Sequence, residues 1–71
     1  MKNIQILEEP TELYKILKFE SLVASGGEAK MVIDDGQVMV NNEVEIRRRK
    51  KIIAGDIIDF MDQKFKVVLR S

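Results

Sequence analysis

The 71-residue sequence contains no cysteine and no histidine. Without cysteine, neither disulfides nor thiolate metal sites can reinforce the fold, and the usual thiol nucleophile is missing. Without histidine, the side chain that ordinarily exchanges protons near neutral pH is missing too. Ser21, Ser25 and Ser71 stand in no nucleophile-elbow pattern, and neither Asp34-Asp35 nor Asp56/Asp59 has the spacing of a metal loop. Together these gaps argue against an enzyme, and no cofactor or metal is expected. No apolar run approaches a membrane span, and Met1–Pro10 loses its apolar character too early for a signal peptide. A soluble, cytoplasmic monomer is expected, with no membrane partner and no small-molecule substrate. Aromatics are also scarce: Tyr14, Phe19, Phe60 and Phe65. The core is expected to take Tyr14, Phe19 and Phe65, which leaves few platforms for stacking single-stranded bases.

The length fits one domain, residues 1–71, with no room for a second core. Net charge is zero but unevenly placed. Before Arg47 four cations face nine acids; from Arg47 onward eight cations face three, so a −5 part precedes a +5 part. Such segregation points to one concentrated basic surface.

Ile4 and Ile6 flank Gln5 as in a short strand. After Pro10, Thr11 can cap a helix running to about Phe19, with Leu13, Ile16 and Leu17 at helical spacing. Ser25 and Glu28 are spaced as a capping box for a second helix, whose buried stripe is Ala29, Val32 and Ile33 and whose stop is Gly36. Asn41-Asn42 joins two alternating runs, Gln37–Val40 and Glu43–Ile46, as a tight hairpin. Ile57–Phe60 and Phe65–Leu69 read as further strands, joined around Asp62-Gln63. The order is strand, helix, helix, then a small sheet.

Two features carry chemistry. Arg47, Arg48, Arg49, Lys50 and Lys51 are consecutive, between Ile46 and Ile52. Five adjacent cations repel, so they either splay into solvent as gatekeeping charges or meet a polyanion. If all five met single-stranded phosphates, the salt slope would be roughly −3. The second feature is Gly26-Gly27, just after the Ser25 cap. There the amides have no intrahelical partner and no side chain blocks an approaching phosphate. Gly27, Lys30, Met31 and Asp34 would share the exposed face of that helix. The plainer alternative makes Gly26-Gly27 a flexible connector, pairs Lys30 with Asp34, and leaves Asp34-Asp35 as a solvated helix end.

Taken in order, S-G-G-E-A-K-M-V-I-D-D-G-Q-V-M-V-N-N-E-V, a basic segment and A-G-D-I-I resemble the S-four-type RNA-binding domain, or alpha-L motif. Leu13, Leu17, Ser25, Ala29, Lys30, Gly36, Val38, Val40, Asn41, Gly55 and Asp56 fall in register with its pattern, over a motif core of about residues 11–60. The resemblance implies an α+β fold, with two N-terminal helices packed on a small, mostly antiparallel sheet. It also implies non-catalytic recognition of structured RNA, ribosomal or transfer, through backbone and shape. By position it assigns contact to Ser25, Lys30, Gln37, Asn41 and Arg47–Lys51, beside the open helix start at Gly26 and Gly27. The sequence departs from the family pattern in four places. Gly26 stands where arginine is frequent, Lys30 replaces arginine, Asp34 stands where a basic or amide residue is usual, and Asn42 replaces the hairpin glycine. Binding should therefore shift toward the basic segment and the glycine end, with Asp34 repelling the RNA backbone. Two rivals stand beside this reading: a protein-interaction module centred on Met31 in a ribosome-associated complex, and a metal-dependent nuclease.

Overall fold

Alternating apolar residues build the sheet, and helically spaced ones build the layer that covers it. The computed structural model describes residues 1–70. In chain order the elements are β1 (Lys2–Ile6), β2 (Thr11–Glu12), α1 (Leu13–Phe19), α2 (Gly26–Asp34), β3 (Val38–Val40), β4 (Glu43–Val44), β5 (Lys51–Ile52), β6 (Ile57–Phe60) and β7 (Gln63–Leu69). Five strands form one sheet in the order β1-β7-β6-β3-β4, while β2 and β5 pair separately.

The strand-first order read from Ile4 and Ile6 holds, so the helices are not N-terminal as the family resemblance implied. β1 precedes them and lies parallel to the last strand, with Ile4 opposite Val67, at the edge of an otherwise antiparallel sheet. A parallel pair needs a long crossover, and the whole α1-to-β6 segment supplies it. Ile4 and Ile6, Phe65 and Val67, Ile58 and Phe60, and Val38 and Val40 recur with period two and are all buried. The helices bring Leu13, Ile16 and Leu17, and Ala29, Val32 and Ile33, into the same core. Each fully buried Leu or Ile contributes roughly 1.5–3 kcal/mol, so this one cluster carries most of the stability. Among the aromatics, Phe60 and Phe65 are core and Tyr14 is partly buried, but Phe19 is 70% exposed and has no core role.

Local signals for α2 and the hairpins largely hold. Ser25 Oγ accepts the Glu28 amide at 3.1 Å, while the Glu28 carboxylate takes the Ala24 amide at 3.3 Å, one residue upstream of the expected reciprocal bond. Gly36 ends the helix region at φ 76°. Asn41 and Asn42 both have positive φ, and Val40 faces Glu43 across this two-residue turn. Thr11 does not cap α1. Its hydroxyl donates to the Glu8 carbonyl instead, and Glu12 occupies the cap position without a side-chain bond.

The last hairpin turns at Met61-Asp62 rather than around Asp62-Gln63, so β7 starts two residues earlier than Phe65. Met61 and Asp62 sit at φ 52° and 61°, a left-handed conformation that costs non-glycine residues roughly 1–2 kcal/mol each. The double substitution Met61→Asn with Asp62→Gly suits this turn. It should raise unfolding free energy by about 1 kcal/mol, read as a higher urea midpoint at unchanged slope. A lower midpoint would contradict the assignment of strain to this turn.

Candidate nucleic-acid interface

The helix start that lacks a side-chain cap is capped by backbone. The Leu13 amide donates to the Lys50 carbonyl at 2.9 Å, and the Tyr14 amide to the Arg48 carbonyl at 3.1 Å. These bonds continue the β2–β5 ladder, in which Thr11 faces Ile52 and Glu12 faces Lys51. The basic segment is therefore fixed through its main chain to the first turn of α1. Arg48 and Arg49 lie in a turn closed by the Lys50 amide on the Arg47 carbonyl. Ile52 is fully buried and anchors the segment, whereas Ile46 is exposed and anchors nothing.

Side chains add a second attachment, to α2. Arg48 Nε donates to Asp34 Oδ1 at 3.0 Å and its Nη2 donates to the other oxygen, a two-pronged bond. Asp34 is thus neither a free solvated helix end nor an unopposed negative charge, because its charge is matched by an arginine of the basic segment. The hydrogen bonds from Arg48 hold the Asp34 carboxyl below the usual carboxylate range, and the same bonds push the Arg48 guanidinium up. Glu45 is held low by hydrogen bonds from Arg47, with Lys50 adding to the effect, and Arg47 is raised in return. The Arg47 Nε–Glu45 distance is 2.9 Å. Arg49 is only loosely joined to Glu12, at 3.9 Å, and Glu12 also meets Lys15 at 3.2 Å.

Lys30 completes the junction. Its Nζ lies 5.1 Å from the centre of the Tyr14 ring, whose own amide is held by Arg48. At the other end of α2, a methyl built on Gly26 would lie 3.8 Å from the Lys18 side chain. The Tyr14/Lys18 row of α1 therefore runs beside the Gly26/Lys30 row of α2. From Gly27 through Lys30 and Met31 to Asp34 the exposed row of α2 ends where Arg48 meets it. Neither Gly26 nor Gly27 has positive φ, and a methyl at either would meet only ordinary van der Waals neighbours. The protein's own packing does not require these glycines.

The remaining sequence-derived positions divide. Ser25 spends its hydroxyl on capping. Gln37 is exposed beyond α2 and donates to Asp35 at 3.4 Å, lining a groove with Met39 and Met61. Asn41 uses both ends of its amide: Nδ2 donates to Asp56 at 3.1 Å and Oδ1 accepts the Ile57 amide at 2.9 Å. The structure thus brings Lys30 and Arg48 to one junction through Tyr14 and Asp34, while Gly26 and Gly27 lie at the opposite end of α2 and Asn41 is committed to holding the hairpin against β6. Sequence reasoning missed Tyr14, Glu12 and Glu45 as members of this surface. Glu45 had a signal, an acid two residues before the basic run. Among the described residues, no three acids gather as a metal site would need.

The chain matches the family described as the S4 domain over residues 4–68. It belongs to that family. Among curated relatives it is 44% identical over 57 residues to YbcJ of Escherichia coli (strain K12), covering 80% of this chain and 81% of YbcJ. It is 36% identical over 56 residues to the "Probable ribosome maturation protein RlbA" of Bacillus subtilis (strain 168), covering 79% of each. The solution structure of E. coli YbcJ matches with a TM-score of 0.71 at 39% identity, covering 96% of this chain and 87% of that one. That structure is described as revealing an alpha-L motif involved in RNA-binding.

The Asp34–Arg48 bond has a definite pH signature. A carboxylate with a depressed folded pKa stabilises the fold above its unfolded value, and loses that contribution as pH falls through the folded pKa. The attachment of α2 to the basic segment should therefore persist at neutral pH and loosen only below about pH 4. Carboxyl NMR titration should show Asp34 ionising at lower pH in the native chain than in Arg48→Gln. Identical titration curves would contradict the pairing.

Proposed function

We propose that this protein binds structured RNA, ribosomal or transfer, through backbone and shape contacts and without catalysing a reaction. One observation carries the reading: the arginine-rich segment is fixed by backbone to α1 and by Arg48 to α2. That anchor sets the segment beside the Lys30–Asp34 end of the exposed row of α2. Family membership supports it, as does the RNA-binding motif described for YbcJ. The ribosome-maturation name of RlbA favours ribosomal RNA as the setting.

Charge accounting refines which residues grip. Arg47 and Arg48 are already matched by Glu45 and Asp34, so they shape the surface more than they add net charge to it. Arg49, Lys50, Lys51 and Lys30 carry the phosphate contacts. The Gly26-Gly27 end lets a phosphate approach α2 amides directly. Tyr14 lies under Lys30, and Phe19 belongs to the other flank of α1, so neither offers a stacking platform beside the basic segment. That favours folded RNA over splayed single strands.

Four such contacts to duplex-like RNA give a salt slope of about −3 to −4. Replacing Arg49, Lys50 and Lys51 together by glutamine should reduce that slope to about −1 and weaken low-salt binding on the order of 100-fold. Fluorescence titration of a ribosomal RNA hairpin at two salt concentrations measures both; an unchanged slope would contradict the reading. Gly26→Ala with Gly27→Ala separates function from fold. Helix propensity predicts a stability gain of up to about 1 kcal/mol per site, while the added methyls should weaken RNA binding. Binding undiminished by the methyls would remove the glycine end from the interface. The exposed Met31 keeps the protein-interaction reading in view. If that reading held, Met31→Glu would cost more affinity than Lys30→Glu, whereas the RNA reading expects the reverse order.

A further inference from the structure

The flank of α1 opposite Tyr14 and Lys18 borders a second surface. β1 is an edge strand, paired only with β7. The Ile6 carbonyl faces β7, where it accepts the Arg70 amide, so by alternation the amides and carbonyls of Asn3 and Gln5 point to the open edge. Beside that edge a groove of about 560 Å³ runs between β1 and α1. Its floor includes Ile4, Ile6 and Ile16, and its walls include Leu7 and Phe19. Leu7 is 76% exposed and Phe19 70% exposed, large apolar side chains left in water next to unpaired strand backbone.

The rim supplies the sign of the occupant. Glu8 and Glu20 line the groove, and among the described residues neither is paired with a cation. Lys15 lines the groove but is matched by Glu12, and Lys18 stands outside its lining, 6.0 Å from the Phe19 ring centre. An incoming strand that satisfied the edge would therefore meet apolar walls and uncompensated carboxylates. A second copy of this chain would bring its own Glu8 and Glu20 toward the same acids.

We propose that the β1 edge and its groove bind an extended segment of another protein, one alternating apolar residues with lysine or arginine, by strand addition. Main-chain bonds to Asn3 and Gln5 provide the pairing, Leu7 and Phe19 take the apolar side chains, and Glu8 and Glu20 take the basic ones. The site lies across α1 from Lys30, so such a segment and an RNA can be held together.

The test uses the intact chain and the synthetic peptide Lys-Val-Lys-Ile-Lys-Val-Lys, followed by amide NMR, with a counterpart carrying glutamate in place of lysine. The basic peptide should shift the Asn3 and Gln5 amides and slow their hydrogen exchange, and the acidic one should not. Phe19→Ser, at an exposed position, should weaken binding about five-fold or more, and Glu8→Gln with Glu20→Gln should do likewise. Replacing Arg49, Lys50 and Lys51 by glutamine should leave peptide binding intact, so this site can fail or stand independently of the RNA reading. Unmoved Asn3 and Gln5 amides, or equal binding of both peptides, would overturn the proposal. So would shifts at this edge that depend on protein concentration without peptide, which would assign the edge to a second copy.

Discussion

The first two amides of α1 need acceptors, and the sequence around Thr11 supplies none from a side chain. Carbonyls of Arg48 and Lys50 fill that role. Much follows from this one exchange. A seven-residue helix is marginal by itself, and these bonds let its buried stripe of Leu13, Ile16 and Leu17 reach the core. A run of five cations would otherwise be a loose, self-repelling loop. Held by main chain, it keeps its backbone inward and its charges outward. Burial of Ile52 holds the far end of the run, so the segment is ordered without any of its cations entering the core.

Carboxylates then set how the charges are displayed. Asp34 and Glu45 each engage an arginine side chain through two nitrogens; the Arg48–Asp34 pair is about half exposed, and Arg47 is exposed over a largely covered Glu45. Exposed pairs stabilise a fold by little, because solvent screens them. Their effect here is positional: Arg48 is drawn toward α2, and Arg47 is folded back on its own strand extension. Arg49 in the turn, and Lys50 and Lys51 leading into β5, are left without such a two-pronged partner. Zero net charge and a basic segment remain compatible because only Asp34, Glu45 and Glu12 meet its arginines, while other acids such as Glu8 and Glu20 lie elsewhere.

Much of this was legible in the residues. The helix stripes, Ser25 with Glu28, Gly36 and the Asn41-Asn42 turn are local signals, read from a few neighbouring positions, and local physics decides them. The alpha-L resemblance rested on these same signals. What escaped were contacts between residues far apart in sequence. Nothing near Thr11 announces that its helix will be capped by carbonyls nearly forty positions later, and nothing near Asp34 names Arg48 as its partner. Phe19 looked apolar enough for the core, yet its place at the end of α1 turns it outward, beside Leu7. Met61-Asp62 was misplaced by one residue because Asp62 marks a turn but Met61 gives no sign of its positive φ. Asn41 matched the family pattern, and its position could not reveal that its amide closes the hairpin onto β6.

In the proposed reading, α2's exposed row and the basic segment act as one RNA-facing surface. Photo-crosslinking of a 4-thiouridine-labelled ribosomal RNA fragment to the intact chain, with the attached residues mapped by mass spectrometry, tests it most directly. Crosslinks are expected both within residues 26–34 and within residues 47–51, lost together at high salt. Crosslinks confined to the β1 edge, or to the sheet face bearing Lys64 and Lys66, would contradict that reading.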